Sequence, residues 1–161
     1  MSPRGNTTRR TWAAALLILL CLPGSGMTAP GADLDLARFR GQVVILDFWA
    51  SWCKPCRQSI PWLNAMRARY GERGLVIVGI NVDAVRTDAD RFLRDVPVDF
   101  ELVFDPAGEL ARRYEVKGMP TSVVLDRNVI IAQRFIGFRQ AQIAAHESEL
   151  QVLLSTPLRQ E

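Results

Sequence analysis

The stretch DFWASWCKPCRQSIP, residues 47–61, places Cys53 and Cys56 three residues apart, directly after a run of strand-forming residues. A cysteine pair with this spacing can be a structural disulfide, part of a metal site, or a working redox pair. The spacing alone does not distinguish these possibilities. The residues around the pair must therefore distinguish these three possibilities.

The supply of further ligands argues against a metal or a haem. The 161-residue chain has three cysteines, of which Cys21 lies in an apolar N-terminal stretch, and His146 is its single histidine. A structural zinc site takes four cysteine or histidine ligands. Covalent haem attachment requires a histidine directly after the second cysteine, where this chain has Arg57. We expect no metal and no cofactor.

A purely structural disulfide between Cys53 and Cys56 remains an alternative. It would close so small a ring that it removes little chain entropy from the unfolded state. A chain of 161 residues also buries enough apolar surface to fold without such a link. The redox-active interpretation is therefore favoured.

Residues 1–29 predict a secretory signal peptide or an N-terminal anchor. Residues 1–32 contain no acidic side chain, and an apolar run over residues 12–22 follows three arginines, Arg4, Arg9 and Arg10. The apolar run is about half the roughly 20 residues that a membrane-spanning helix needs. We therefore favour a cleaved signal, and expect a periplasmic protein whose membrane contact is limited to the N-terminal segment.

The balance of basic and acidic side chains argues against a nucleic acid as partner. The chain has 20 basic and 17 acidic side chains, and removal of the three arginines in residues 1–29 leaves 17 of each. Without a Lys/Arg cluster, the chain has nothing that would follow the phosphates of a nucleic acid. Export predicts an oxidising compartment, in which two cysteines form a disulfide unless a partner reduces them.

The chain beyond the signal predicts a tether over residues 30–35, one domain over residues 36–155, and a C-terminal tail over residues 156–161. The domain alternates strands and helices, which indicates α/β architecture. The predicted elements are a helical turn over 36–40, a strand over 43–49, a helix over 54–70, a strand over 75–82, a helix over 86–94, a strand over 101–104, a helix over 107–114, strands over 122–126 and 129–135, and an amphipathic helix over 140–154.

Two local features refine this prediction. Pro61 lies inside the first long helix and predicts a kink there. The last two strands form an antiparallel hairpin, in whose turn we expect Asn128 to take the left-handed conformation. The result is a central mixed sheet flanked by helices.

The cysteine pair falls between a buried strand and the start of a helix. Cys53 is therefore expected in the first helical turn, where free backbone N–H groups and the helix dipole favour a thiolate. Pro55 suits that turn because its missing N–H has no partner to lose. Cys56, one turn further in, should be shielded. Cys53 would be the attacking thiolate, and Cys56 would keep its proton longer, as dithiol exchange requires.

These residues resemble a known family. Residues 47–56 (DFWA-x-W-C-x-P-C), Pro61, and Gly118-Met119-Pro120-Thr121 before a strand are similar to thioredoxin. The export signal, with an extra strand and helix inserted between residues 82 and 104, resembles the exported TlpA-type branch of thiol–disulfide reductases. The resemblance covers residues 34–154 and implies a thioredoxin-like fold.

The resemblance implies that Cys53 attacks a substrate disulfide and that Cys56 resolves the mixed disulfide, which makes the pair a redox-active disulfide. Asp47 matches a buried carboxyl group that accepts the proton of the resolving thiol, and burial would raise its pKa. The alternative for Asp47 is a carboxylate at a strand end. The lysine that usually pairs with it is replaced by Gly79, so proton transfer departs from the family pattern.

Substrate binding is implied at a second segment. Pro120 resembles the family's cis-proline, which would leave the backbone of Met119 free to pair with an extended substrate. Trp52, Thr121 and Met119 would line the same site, and Lys54 and Pro55 would tune the cysteines. An ordinary trans proline and a packing role for Met119 are the alternatives. We expect a solvated helix position for His146.

The predicted activity is a thiol–disulfide oxidoreductase that reduces disulfides of exported proteins, with apocytochrome c among its candidate substrates. Lys54-Pro55 lacks the histidine of strongly oxidising relatives, although the charge of Lys54 could favour the thiolate of Cys53. We expect a monomer that a membrane-bound electron donor recharges. The alternatives are a net thiol oxidase or isomerase, and a noncatalytic copper-binding or interaction module, for which Met119 is the one further ligand nearby.

Overall fold

The structure, a computed structural model, describes Met1 and residues 34–157. The predicted signal peptide or anchor beyond Met1, most of the tether, and residues 158–161 of the tail lie outside the described residues. Among the described residues, no helix has the length and apolar character needed to cross a membrane. The domain boundaries at residues 36 and 155 stay predictions.

A five-stranded mixed sheet forms the centre of the structure. Its strands are β1 (Val43–Trp49), β2 (Leu75–Asn81), β3 (Glu101–Phe104), β4 (Thr121–Leu125) and β5 (Ile131–Ile136). They lie in the order β3-β2-β1-β4-β5, in which β1–β2 and β2–β3 are parallel and β1–β4 and β4–β5 are antiparallel. The predicted mixed sheet and closing hairpin are confirmed.

β1 occupies the middle of this sheet because its sequence is apolar on both faces. All seven of its residues are buried, including Asp47, and its run of β-branched, leucine and aromatic side chains suits a strand covered from both sides. The carboxyl end of β1 leads directly into the cysteine motif.

Helices cover both faces of the sheet. They are α1 (Cys56–Tyr70), α2 (Arg86–Asp95), α3 (Glu109–Arg113) and α4 (Ile143–Ser155), with 3-10 turns at Ala37–Phe39, Gly71–Arg73 and Gln140–Gln142. α1, α2 and α4 pack on the face that carries Val43, Ile45 and Trp49. α3 and the first 3-10 turn pack on the opposite face. The helix and strand expected between residues 82 and 104 are α2 and β3.

Two local expectations are wrong. α1 begins at Cys56 rather than Lys54, because a residue before proline avoids the α region and the chain forms a turn over Cys53–Cys56 first. In the β4–β5 hairpin, the residue with positive φ (67°) is Val129 rather than Asn128. The carboxylate of Asp126 accepts the N–H groups of Asn128 and Ile130, which fixes that turn. The kink at Pro61 stays a prediction.

Candidate active site

The two cysteines form a disulfide at the start of α1. Their sulfur atoms are 2.00 Å apart and their Cα atoms 5.3 Å apart. Two successive turns shape the segment, since Cys53 N–H donates to the carbonyl of Ala50 and Cys56 N–H to the carbonyl of Cys53. Local backbone bonding therefore brings the sulfur atoms within bonding distance of each other.

The helix terminus acts on Cys53 in a way that the sequence did not predict. Cys53 precedes α1 instead of lying in its first turn, and Pro55 is the residue that caps the helix. The N–H of Cys56 also points at the Sγ of Cys53, at 3.2 Å. A first-turn N–H of α1 thus donates to the sulfur from one side, an arrangement that favours a thiolate when the pair is reduced.

The cysteines differ slightly in exposure in this disulfide form. Cys53 is 3% exposed and Cys56 is fully buried. Trp52, directly before Cys53, is 70% exposed and borders the pair, while Lys54 is also exposed. The accessible edge of the disulfide is therefore on the side of Cys53.

A buried carboxylate anchors the loop before Cys53. Asp83 accepts hydrogen bonds from the N–H of Ser51 (2.9 Å), the Oγ of Ser51 (2.8 Å) and the Nδ2 of Asn81 (2.7 Å). Charge-assisted bonds of this kind are stronger than neutral ones. The sequence analysis missed Asp83 and Asn81, although polar residues at the carboxyl end of a strand next to β1 are the signal that could have indicated them.

Asp47 lies in the middle of β1 and is fully buried. It shares the face of β1 with Ile45 and Trp49, and these two residues pack in the same hydrophobic cluster as Cys56. The hydroxyl of Ser122 donates to Oδ1 of Asp47 at 2.6 Å, whereas Oδ2 has no hydrogen-bond partner among the described residues. Burial raises the pKa of Asp47 to about 7, and the bond from Ser122 opposes that rise.

Gly79 faces Asp47 across the β1–β2 pairing, as the sequence comparison with thioredoxin implied. The position has no room for a side chain. A Cβ on Gly79 would lie 2.9 Å from side-chain atoms of both Leu102 and Phe100, and 3.2 Å from Nε1 of Trp49. A side chain at this position would require Leu102 and Phe100 to shift, and the polar contact of Asp47 comes from β4 instead.

The segment before β4 has the geometry that the resemblance implied. The Met119–Pro120 peptide bond is cis. The hydroxyl of Thr121 donates to the carbonyl of Gly118 at 2.7 Å, and the N–H of Gly137 to the carbonyl of Pro120 at 2.8 Å. Within residues 34–157, no hydrogen bond reaches the backbone of Met119. Its side chain is half-buried and packs against the cluster that contains both cysteines.

The expectation of a solvated His146 is wrong. Its ring stacks on Phe135 with 3.9 Å between centroids, and it lies edge-on to Trp62. α4 turns this face toward the sheet, so the histidine is half-buried, and burial lowers its pKa against the opposing effect of Glu149. Trp62 is likewise half-buried and contacts Phe138.

A mixed sheet with a disulfide at the amino end of its first helix, a cis-proline segment and a buried carboxyl beneath defines a thioredoxin-like dithiol–disulfide site. In the part of the chain that the structure describes, no cluster of three or more metal-ligating side chains is found. The AhpC/TSA family model matches residues 20–134, and the chain belongs to this family.

The sequence is also similar to proteins named as thiol-disulfide oxidoreductases. The chain is 31% identical over 107 residues to thiol-disulfide oxidoreductase ResA of Bacillus thuringiensis subsp. konkukian, covering 66% of this chain and 62% of that relative. It is 30% identical over 120 residues to ResA of Geobacillus kaustophilus, covering 70% and 69% of the two chains. The chain therefore spans somewhat less than two thirds of the first relative's length.

A solved structure matches more closely. A crystal structure from Chlorobium tepidum, assigned as a thiol:disulfide interchange protein DsbE, superposes with a TM-score of 0.73 at 48% identity and covers 76% of this chain and 86% of that one. The predicted resemblance to thioredoxin-like proteins is confirmed, as is the predicted fold class.

The buried carboxyl of Asp47 should make stability depend on pH. Its pKa is about 7 in the folded protein against 3.8 for an ordinary aspartate, so the folded state holds the proton more tightly and the free energy of unfolding falls as pH rises from about 4 to 7. Asp47→Asn removes this effect. We expect its stability relative to wild type to increase by on the order of 2–3 kcal/mol between pH 5 and pH 8.

Urea unfolding of the oxidised proteins at the two pH values measures this difference. Asp99→Asn is the matched control, because the Asp99 side chain is 48% exposed, and its stability difference should change little. A difference for Asp47→Asn that is the same at both pH values would show that Asp47 is not a buried carboxyl of raised pKa.

Proposed function

We propose that this protein is a thiol–disulfide oxidoreductase that reduces disulfides of exported proteins by dithiol exchange at Cys53 and Cys56. The single observation that carries the proposal is the Cys53–Cys56 disulfide at the start of α1, with a helix N–H on the Sγ of Cys53. The named relatives support the same class of reaction.

The reaction starts from the reduced pair. The thiolate of Cys53 attacks one sulfur of a substrate disulfide, so that a Cys53–substrate bond forms while the substrate S–S bond breaks, and the other substrate sulfur leaves as a thiolate. The N–H of Cys56 that reaches the Sγ of Cys53 stabilises the attacking charge. Cys53 takes this role because it lies at the accessible edge of the pair.

Cys56 then resolves the mixed disulfide. Asp47 in its ionised form accepts the proton of the Cys56 thiol, and the new thiolate attacks the Sγ of Cys53. The Cys53–Cys56 bond forms, the Cys53–substrate bond breaks, and the second substrate thiolate leaves and takes a proton from water. Two electrons pass from the protein to the substrate. A carboxyl whose pKa is about 7 can accept and release a proton at neutral pH.

Substrate is positioned by the segment around Pro120. The backbone of Met119 is available to pair with an extended substrate segment, in the manner of strand addition. The hydroxyl of Thr121, which donates to the carbonyl of Gly118, holds the loop before β4 in place. The exposed indole of Trp52, directly before Cys53 in the sequence, provides an apolar contact for the substrate. Lys54 and Pro55, between the cysteines, tune the stability of the thiolate.

The proposed location is the periplasm, in the TlpA-type branch of the family. The arginine-containing, apolar and small-residue pattern of residues 1–29 supports export. In that compartment the pair needs a source of electrons, for which a membrane-bound donor is proposed, and the protein acts as a monomer. Apocytochrome c thiols are a candidate substrate by resemblance to that branch.

Cysteine variants test the exchange reaction. Wild type should accelerate the precipitation of insulin by dithiothreitol, and Cys53→Ser should lose this activity entirely because the attacking sulfur is gone. Cys56→Ala should accumulate a mixed disulfide with substrate, visible as an added mass on Cys53. Cys21→Ser in the full-length chain, with residues 1–29 retained, leaves the pair intact and is the control. Activity that survives in Cys53→Ser would contradict the assignment of the nucleophile.

The reduction potential tests the direction of the reaction. Thioredoxin and the oxidant DsbA differ by about 150 mV, on the order of 7 kcal/mol for two electrons. Because Lys54-Pro55 contains no histidine, we expect a potential nearer to about −270 mV than to about −120 mV, measured by equilibration with glutathione. A potential close to that of DsbA would identify an oxidase instead of a reductase.

A further inference from the structure

We propose that Ser122 is a positioning residue that holds Oδ1 of Asp47 and so makes Oδ2 the oxygen that accepts the proton of Cys56. The inference rests on the exchange reaction proposed above. It adds a residue from β4 to the machinery that the cysteine motif by itself does not contain.

The geometry of Ser122 is specific to this task. Ser122 lies directly opposite Asp47 in the antiparallel pairing of β1 and β4, and it is 8% exposed. Its hydroxyl donates to Oδ1 at 2.6 Å, which leaves Oδ2 as the carboxyl oxygen without a partner among the described residues. A buried acceptor of this kind is rare, because an unpartnered polar atom is costly unless it is used.

Among the described residues, Ser122 is the side chain that hydrogen-bonds to Asp47. On the β2 side, Gly79 has no room for a side chain because Leu102 and Phe100 fill the space. The helices that pack on this face contribute Cys56 and apolar side chains such as Ile60 and Leu63. In place of the lysine that the resemblance implies on β2, Asp47 has a neutral hydrogen-bond donor on β4.

The remaining titratable groups near this layer have partners of their own. The hydroxyl of Tyr70 donates to Glu147, His146 stacks on Phe135, and the carboxylate of Asp83 accepts from Ser51. Burial and Ser122 are the influences that set the protonation of Asp47, and they oppose each other. Removal of the hydroxyl leaves burial unopposed and makes the carboxylate harder to form.

Ser122 also determines where the proton goes. The hydroxyl of Ser122 donates a hydrogen bond to Oδ1 of Asp47. When the carboxyl group is protonated, this bond is kept if the acidic hydrogen is on Oδ2. In the resolving step the proton passes from the Sγ of Cys56 to Oδ2, the Cys56 thiolate bonds to the Sγ of Cys53, and the substrate thiolate leaves. Ser122 itself neither loses nor gains a proton in this step.

The test compares wild type with three variants, Ser122→Ala, Ser122→Thr and Ser122→Val. The last two have side chains of the same shape, and only threonine keeps the hydroxyl. One readout is the titration midpoint of Asp47 in each reduced protein, followed by carboxyl carbon NMR. The other is the pH profile of the reaction of each reduced protein with oxidised glutathione. Circular dichroism checks the fold, and the Thr/Val pair decides the question if Ser122→Ala does not fold.

We expect Ser122→Ala and Ser122→Val to raise the midpoint of Asp47 by about 1–2 pH units. The low-pH limb of the rate profile should move with it, so that the rate at pH 7 falls about 5-fold for a shift of one unit and recovers near pH 9. Ser122→Thr should keep both midpoints close to those of wild type.

An unchanged Asp47 midpoint in Ser122→Val, or a rate that falls equally at every pH, would overturn the proposal. So would a midpoint that moves while the rate profile stays fixed, since Asp47 would then not be the proton acceptor. That last result would leave dithiol exchange at the cysteines intact, which Cys53→Ser tests independently.

Discussion

The burial of a carboxyl group in the central strand is the constraint on which the site depends. β1 is apolar enough on both faces to take the middle of the sheet, and this placement removes Asp47 from water at a large cost in solvation. A single hydroxyl from β4 compensates part of that cost. The carboxyl consequently keeps its proton up to about neutral pH, where it can serve as a proton acceptor with little change in energy.

The same strand delivers the cysteines. β1 ends at Trp49 and the chain turns directly after it, so Cys53 lies at the carboxyl edge of the sheet, shortly before the first residue of α1. The bonds from Ser51 to Asp83 hold this turn to the end of β2. Sheet, loop and helix thus place Cys53 at the slightly exposed edge of the pair and leave Cys56 fully buried, an asymmetry in the direction that exchange chemistry needs.

Elements with a strong local signal were predicted well from the sequence. The bounds of β1 and β3 are as predicted, and β2 differs by one residue, because continuous apolar runs between glycine or polar residues mark buried strands. Cys53, Cys56, Asp47 and Pro120 could be named as candidate site residues because their motifs are contiguous, and their roles stay predictions. The start of α1 and the conformation of Asn128 were wrong, since a proline and an aspartate side chain decide these turns locally.

Contacts made across strands could not be predicted in the same way. Ser122 meets Asp47 only through the register of β1 with β4, residues separated by 75 positions in the chain. His146 was taken for a solvated residue because its neighbours in sequence are small or charged, whereas its stacking on Phe135 depends on how α4 docks on β5. The absence of a lysine at Gly79 was visible in sequence, but its packing reason was not.

The central claim is that one sulfur of the reduced pair is an accessible thiolate while the other is shielded. Alkylation of the fully reduced protein with iodoacetamide at neutral pH, with each site quantified by mass spectrometry, measures this directly. We expect Cys53 to react at least about 10-fold faster than Cys56. Equal and slow modification of both thiols would contradict it.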